Sequence, residues 1–200
     1  MKKSKAILMV VCAMLLVAAS VMGTLAYLTS TDEVVNTFSV GNVAITMDET
    51  DTDDSTTGAD RDTANRYKLM PGHEYTKDPI IHVAPTSENC YLFVKVVNDI
   101  AAIEAKGDTT VAAQMTANGW EAVEGQTGIF VYTNKTGNPV AVAGGANKAV
   151  FGKFVIDDGV DNTTLAAYNN KTIVVTAYAI QADGFESMTA ADIWAEIPKA

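Results

Sequence analysis

The amino-acid sequence predicts a mostly β fold, an antiparallel β-sandwich of the jelly-roll or immunoglobulin-like type. One or two short helices are expected within it, and a helical signal segment precedes it. Runs of alternating or β-branched residues recur along the chain, and turn signals such as Pro-Gly and Gly-Gly separate them. No sustained alternation of strands with helices is visible. The chain of 200 residues is long enough for one such domain and short for two.

The N-terminus has the layout of a secretory signal peptide. Three lysines precede an apolar run over residues 6–22, and small residues then lead to a polar exit. We expect a signal peptidase to cleave after Ala26, with Thr24 at the other recognition position and Gly23 as the second choice. An uncleaved membrane anchor is the alternative, because the run is near the shortest length that spans a bilayer.

This layout divides the chain into a signal peptide (residues 1–26), an exposed N-terminal segment (27–35) and a single β-sandwich domain (36–200). Removal of the signal leaves 174 residues with 11 basic and 24 acidic side chains, a net charge of −13. So acidic a chain repels nucleic acid and anionic lipid. We therefore expect a secreted protein that binds no nucleic acid and meets a membrane only through an uncleaved signal.

The first predicted strands flank an acidic stretch. Residues 36–48 alternate with a change of parity at Gly41-Asn42, which predicts one bent strand with a β-bulge. Residues 48–62 carry seven acidic side chains and no large apolar one, which predicts a solvated loop. An Asp-Pro pair then opens a strand over residues 80–83.

The strongest strand pattern covers residues 90–97. Both of its faces are apolar, which predicts a central strand that is covered on both sides, or partly so. The Ala-rich segment 100–119 predicts a short helix that is capped by Asp108 and stopped by a glycine. Strand chemistry resumes over residues 129–132.

The last part of the chain predicts two more strands and a helix. Residues 149–156 predict one strand, and the β-branched alternation over residues 172–180 predicts another. Thr189 and Asp192 have the spacing of a capping box with Asp in place of Glu, so a helix of one or two turns should follow. Six aromatic side chains are spaced like packing residues of a core: Trp120, Phe130, Tyr132, Phe154, Tyr178 and Trp194.

The sequence shows no recognisable catalytic motif. His73 and His82 lie on different segments, and no zinc-binding spacing surrounds them. We expect a loop histidine and a strand histidine without a ligand role. Cys90 is the one cysteine beyond the signal and lies in the strongest strand, so we expect a buried thiol and no nucleophile.

The acidic stretch contains the main cation candidates. Asp48, Asp51, Asp53 and Asp54 offer the hard oxygen ligands that calcium takes. Their spacing does not match the EF-hand pattern, which favours a solvated acidic loop without an ion. The sequence therefore predicts no cofactor, with calcium as the alternative.

Two segments near the N-terminus, residues 23–32 and 36–43, resemble the signal region read by the SipW-type signal peptidase. The first reads Gly-Thr-Leu-Ala-Tyr-Leu-Thr-Ser-Thr-Asp, and the second reads Asn-Thr-Phe-Ser-Val-Gly-Asn-Val. Similar segments follow at residues 69–72, 77–79, 88–96 and 176–182. On these residues the chain resembles the TasA/camelysin group of Gram-positive secreted proteins over nearly its whole length.

The resemblance implies a non-catalytic structural subunit of extracellular matrix or biofilm fibres, built on a jelly-roll-like sandwich. It implies processing by a SipW-type signal peptidase and head-to-tail assembly with copies of itself or with related matrix proteins. Two other functions stay open. One is a camelysin-type secreted metallopeptidase, for which the chain has no zinc motif, and the other is a calcium-dependent surface adhesion module.

In the implied assembly, the freed N-terminal segment of one subunit completes the sheet of the next. The donor would begin at Tyr27 and include Leu28, Val34 and Val35. An extended donor adds main-chain hydrogen bonds to an open sheet edge, and its alternate side chains fill pockets. Asp32 and Glu33 make this segment partly polar.

Overall fold

The computed structural model describes residues 4, 5, 7, 9–16, 42–53 and 60–198. The chain divides into two units, Met1–Val40 and Gly41–Ala200. The described residues of the first unit are helical and exposed. Among the residues that the structure describes, no helix has both the length and the apolar character needed to cross a membrane.

Several sequence predictions fall outside the described residues. They concern the cleavage positions, the donor segment, the centre of the predicted bulge and one acidic candidate: Gly23, Thr24, Ala26, Tyr27, Leu28, Val34, Val35, Gly41 and Asp54.

The second unit consists mainly of antiparallel sheets with a few short helices. Its described strands are β1 (Ile45–Thr50), β2 (Arg61–Asp62), β3 (Glu74–Thr76), β4 (Ile80–Val83), β5 (Cys90–Asn98), β6 (Trp120–Ala122), β7 (Ile129–Tyr132), β8 (Asn147–Ala149), β9 (Lys153–Val155) and β10 (Ile173–Gln181). Its described helices are a 3-10 turn (Ala101–Ile103), α1 (Val111–Ala117), α2 (Asn162–Ala166) and α3 (Ala190–Glu196).

These strands form two four-stranded sheets and one two-stranded sheet. The first large sheet has the order β2-β1-β4-β8, the second has the order β10-β5-β7-β6, and β3 pairs with β9. Every pair is antiparallel. The predicted strands at residues 80–83, 90–97, 129–132 and 172–180 are confirmed to within one residue at either end.

One hydrophobic core joins the two large sheets. Ile81 and Val83 of β4 and Cys90, Leu92 and Val94 of β5 are almost fully buried in the same cluster. Burial of each large aliphatic side chain contributes roughly 1.5–3 kcal/mol, so this shared layer is a main source of stability. The arrangement is compatible with the predicted β-sandwich.

The strand β5 is covered on both faces over residues 90–94, as its sequence predicts, whereas Lys95 and Val97 beyond them are exposed. Tyr91 and Phe93 alternate with the side chains of the main core and belong to a second cluster. Ile193 and Trp194 of α3 cover that cluster from the other side. The main core on one face and α3 on the other explain why both faces of this segment are apolar.

The helix α3 begins at the predicted capping residue. The Thr189 hydroxyl accepts a hydrogen bond from the Asp192 N–H at 3.2 Å and donates one to the Asp192 carboxylate at 2.7 Å. This satisfies an N–H of the first turn that has no partner within the helix. The shorter Asp side chain contacts the cap hydroxyl, whereas Glu in a full capping box reaches the cap N–H.

The helix α1 begins later than predicted. Thr110, and not Asp108, is its cap, and the Thr110 hydroxyl accepts from the Ala113 N–H at 3.2 Å. The buried Glu104 carboxylate accepts from the Val111 N–H at 3.2 Å. Two side-chain acceptors therefore bind N–H groups of the first helical turn. The second acceptor, Glu104, lies seven residues before Val111 and is not part of the usual capping pattern.

The single strand predicted over residues 149–156 is two strands in different sheets. β8 ends at Ala149 and β9 begins at Lys153. Val150 and Phe151 lie between them, and both are fully buried in the main core. A regular strand sends successive side chains to opposite faces, so burial of two neighbours in one core requires a break.

One pair of sheet edges is joined by aromatic contacts. Trp120 of β6 donates from Nε1 to the carbonyl of Ala149 in β8 at 2.8 Å, which links the two large sheets. The Tyr132 ring lies edge-on to Trp120 at 5.4 Å, and Lys148 Nζ lies 4.5 Å from the centre of the Tyr132 ring. We call this edge, defined by Trp120, Tyr132, Lys148 and Ala149, the closed seam.

Candidate functional site

A cleft lies at the other edge of the two large sheets, between β1 and β10. Its volume is about 1220 Å³. Its floor is apolar and includes Met47, Leu69, Phe154, Ile173 and Val175. We call this edge the open seam.

The main core is incompletely covered at the open seam. Met47 of β1 and Ile173 and Val175 of β10 pack on the core, yet each is only half-buried. Leu92, in the neighbouring strand β5, is fully buried. Apolar surface that is still exposed stands to gain roughly 25 cal/mol per Å² when a partner covers it.

The strand β10 has an open backbone edge. At the ends of its pairing with β5, Asp99 donates to the Thr172 carbonyl at 3.0 Å and Ala182 donates to the Asn89 carbonyl at 2.8 Å. In antiparallel pairs these bonds recur at every second residue, so the even-numbered residues of β10 face β5. The odd-numbered residues from Ile173 to Gln181 therefore direct their N–H and C=O groups away from β5. No described strand pairs with that side.

The acidic stretch is not a solvated loop at its start, which corrects the sequence prediction. Asp48 and Glu49 belong to β1, and Glu49 is only 4% exposed. Lys77 Nζ lies 2.6 Å from the Glu49 carboxylate, and Asn65 Nδ2 donates to it at 3.0 Å. A buried carboxylate is retained only with such partners, and these come from distant parts of the chain.

A second ion-pair network fixes β2 beside β1. Arg61 bridges the carboxylates of Asp48 and Asp78, and its Nη1 lies 3.0 Å from Asp78 Oδ2. Burial acts to raise the pKa of Asp48, but hydrogen bonds from Arg61 and His82 outweigh it and hold that pKa below its usual range. Burial likewise acts to raise the pKa of Asp78, but hydrogen bonds from Thr50 and Arg61 outweigh it and lower that pKa.

The two histidines lie in separate environments. His82 Nε2 is 3.1 Å from Asp48 Oδ2, and His82 Nδ1 is 2.9 Å from Asn147 Oδ1. His73 is exposed, and its ring lies 5.3 Å from the Tyr75 ring. In the part of the chain that the structure describes, neither histidine belongs to a group of three side chains able to hold a metal.

One set of carboxylates does converge. Oxygen atoms of Asp51, Asp53 and Asp62 lie within 4.8 Å of one another. Two of these residues are among the calcium candidates from the sequence, whereas Asp48 is turned toward Arg61. Asp62 was not among those candidates. The pairing of β1 with β2 brings Asp62 close to Asp51. The sequence signal that could have identified Asp62 is its place in the same acidic run.

The Cys90 thiol is buried, as the sequence predicts. It is fully enclosed in the main core, and burial raises its pKa to about 11. A thiol with so high a pKa carries its proton at neutral pH and is a poor nucleophile. Of the predicted aromatic core residues, Trp120, Tyr132, Phe154 and Trp194 are buried, while Phe130 and Tyr178 are partly buried.

Comparison of the chain with family models, with curated proteins and with solved structures finds no match. Two features stand out in the described residues, the open seam and the carboxylate group.

Proposed function

We propose that this protein is a secreted, non-catalytic structural subunit of extracellular matrix fibres, similar to the TasA/camelysin group. Residues 27–35 of one copy, freed by a SipW-type signal peptidase, extend the β10 sheet of the next copy. The fold is a jelly-roll-like sandwich that this added strand completes. The open backbone edge of β10 is the observation that carries the proposal.

The edge of β10 lacks the usual protection against pairing. Natural sheets guard their edges with charged residues, proline, bulges or short strands. β10 is nine residues long, reads IVVTAYAIQ and contains neither charge nor proline. Strands of this composition pair readily with another extended chain, so the edge is suited to accept a donor.

A donor at this edge would gain in two ways. The outward N–H and C=O groups of β10 would enter a regular ladder, and the half-buried Ile173 and Val175 would be covered. The donor belongs to one copy and the acceptor to another, so the contact is head to tail. Contacts of this kind that do not close into a ring produce filaments.

The test compares the secreted form that begins at Tyr27 with a variant that begins at Asn36. We expect the longer form to sediment as polymer and to show fibres by electron microscopy, and the shorter form to stay monomeric. If both stay monomeric at high concentration, the proposed assembly is wrong.

Two single proline substitutions test the open edge of β10 in the same assembly experiment. In Val175→Pro the substitution removes an N–H that faces the open edge, so assembly should fall while β5 pairing stays intact. Ala149→Pro is the matched control, because Ala149 is the corresponding outward position on β8, the edge strand at the closed seam. With both variants shown to be folded by circular dichroism, an equal loss of assembly would contradict the assignment of β10 as acceptor.

A calcium-dependent surface module is the second candidate function, and the group of Asp51, Asp53 and Asp62 favours it. Extracellular calcium modules bind with dissociation constants on the order of 10⁻⁴–10⁻³ M. This function predicts calorimetric heat with calcium that Asp62→Asn abolishes and the exposed control Asp108→Asn retains. A flat calcium titration of the unmodified protein would reject it.

A further inference from the structure

We infer that the open seam recognises the two carboxylates of an incoming N-terminal segment, Asp32 and Glu33, through Arg66, Lys68 and Lys171. This inference rests on the proposed function and adds to it the chemistry by which donor and acceptor select each other. We call these three basic residues the cationic rim. All three are exposed and line the cleft.

The acidic residues of the cleft are already neutralised within the subunit. Glu49 is paired with Lys77 at 2.6 Å, and Asp48 is paired with Arg61. Both carboxylates also accept hydrogen bonds from neighbouring side chains. They therefore have little remaining capacity to attract a cation or to balance the charge of the rim.

The side chains of the cationic rim differ in this respect within the described part of the chain. The described residues hold no ion pair to any of its three side chains. The secreted form has a net charge of −13, and two carboxylates lie beside the rim: Asp53 accepts from the Arg66 main-chain N–H at 2.8 Å, and Asp99 accepts from the N–H of Thr172, next to Lys171, at 3.4 Å. Both accept from the main chain and, in the ranges that the structure describes, not from a rim side chain, so the three cations stay available to a donor. A positive patch on an acidic protein attracts an acidic segment and fixes where that segment docks.

The rim lies on both walls of the open seam. Lys171 comes two residues before Ile173, where the open edge of β10 begins. On the other wall, Tyr67 and Leu69 pack on the core, and the alternating residues Arg66 and Lys68 are exposed. An extended segment in the cleft would thus run between the rim residues, with alternate side chains directed toward the core.

The N-terminal segment has matching length and charge. Residues 27–35 number nine, as does β10, and contain two carboxylates and no basic side chain. Asp32 and Glu33 are consecutive, and consecutive residues of an extended chain point to opposite faces. Cations on two walls can meet both carboxylates, whereas a single cation could meet only one. An apolar groove alone would disfavour the two carboxylates. Beside the cationic rim, they instead contribute to binding of the donor segment.

The test reverses the charge of the rim in the secreted form. Assembly is measured as the critical concentration for polymer in the triple variant Arg66→Glu, Lys68→Glu, Lys171→Glu. We expect a rise of about tenfold or more, because attraction at each position becomes repulsion. Salt titration alone would not decide, since salt also screens the general repulsion between two acidic subunits.

A matched control changes the net charge by the same amount elsewhere. Lys95→Glu, Lys106→Glu and Lys135→Glu alter three exposed lysines that do not line the cleft. This control should keep the critical concentration within about threefold of the unmodified protein, because none of the three lysines lines the cleft. Lys95, which pairs with Thr176 of the acceptor strand, makes it a strict comparison. Circular dichroism and thermal unfolding establish that each variant is folded.

A charge exchange completes the design. Adding Asp32→Lys and Glu33→Lys to the triple rim variant should restore assembly, because the two partners again have opposite charge. Failure of the unmodified secreted form to polymerise would contradict the proposed function itself. Polymerisation with equal effects of rim and control variants, or without rescue by the exchange, would overturn the rim inference and leave the proposed function standing.

Discussion

Substitution of Lys77 by methionine is expected to destabilise the protein by about 3–5 kcal/mol. Lys77 Nζ lies 2.6 Å from the carboxylate of Glu49, and the side chains are 12% and 5% exposed. Removal of the ammonium leaves a buried carboxylate with Asn65 as its remaining side-chain hydrogen-bond donor. Chemical denaturation monitored by tryptophan fluorescence measures the loss.

Two further variants separate the loss of the ion pair from general damage. Lys77→Met combined with Glu49→Leu should recover most of the stability, because no uncompensated charge is then buried. Lys153→Met is the surface control, since Lys153 and Glu74 form a pair of equal length, 2.6 Å, with 40% and 57% exposure. That variant should lose less than about 1 kcal/mol. A similar loss in Lys77→Met and Lys153→Met would show that Glu49 is not confined as the structure indicates.

The same ion pair shows what the sequence could not predict. Composition alone predicts that residues 48–62 form a solvent-exposed loop, because acidic runs are usually solvated. Burial of Glu49 depends on Lys77, which lies 28 positions away. Convergence of Asp51 and Asp62 likewise depends on the pairing of β1 with β2. Partners so distant in sequence leave no periodic signal.

Strands with strong local patterns were predicted well. In β5 and β10, alternate side chains pack against apolar neighbours on a fixed face of the strand. This packing requires an apolar residue at every second position, which is visible in the sequence. The short helix α2 was missed, since five residues give too little periodicity. Its start does have a local signal: Asp161 accepts from the Thr164 N–H at 2.7 Å, the spacing of a side-chain cap.

The open seam is a product of topology. β1 and β10 lie at the same side of two different sheets, and more than 120 positions of sequence separate them. The resemblance to the TasA/camelysin group implies a donor segment and an open sheet edge that receives it. What the sequence could not predict was which edge is open, because each strand pattern gives the faces of a strand and says nothing of its neighbours.

The closed seam provides the contrast, and Trp120 is the residue on which it depends. Trp120 is fully buried, and its indole N–H joins β6 to β8 across the two sheets. Trp120→Ala should therefore cost about 3–5 kcal/mol, through the lost contacts and the cavity that remains. Trp120→Phe keeps most of the apolar contact but leaves the Ala149 carbonyl without its donor, so we expect a smaller loss of about 1–3 kcal/mol.

Equilibrium denaturation of both variants, followed by far-ultraviolet circular dichroism, tests this order. Val97→Ala is a suitable control, because Val97 is 44% exposed on the outer face of β5 and its loss should cost under about 1 kcal/mol. Equal losses for Trp120→Ala and Val97→Ala would contradict the role of the closed seam. If the order holds, the sandwich is fastened at one seam by its own side chains. The other seam is then the place where an external strand has the most stability to add.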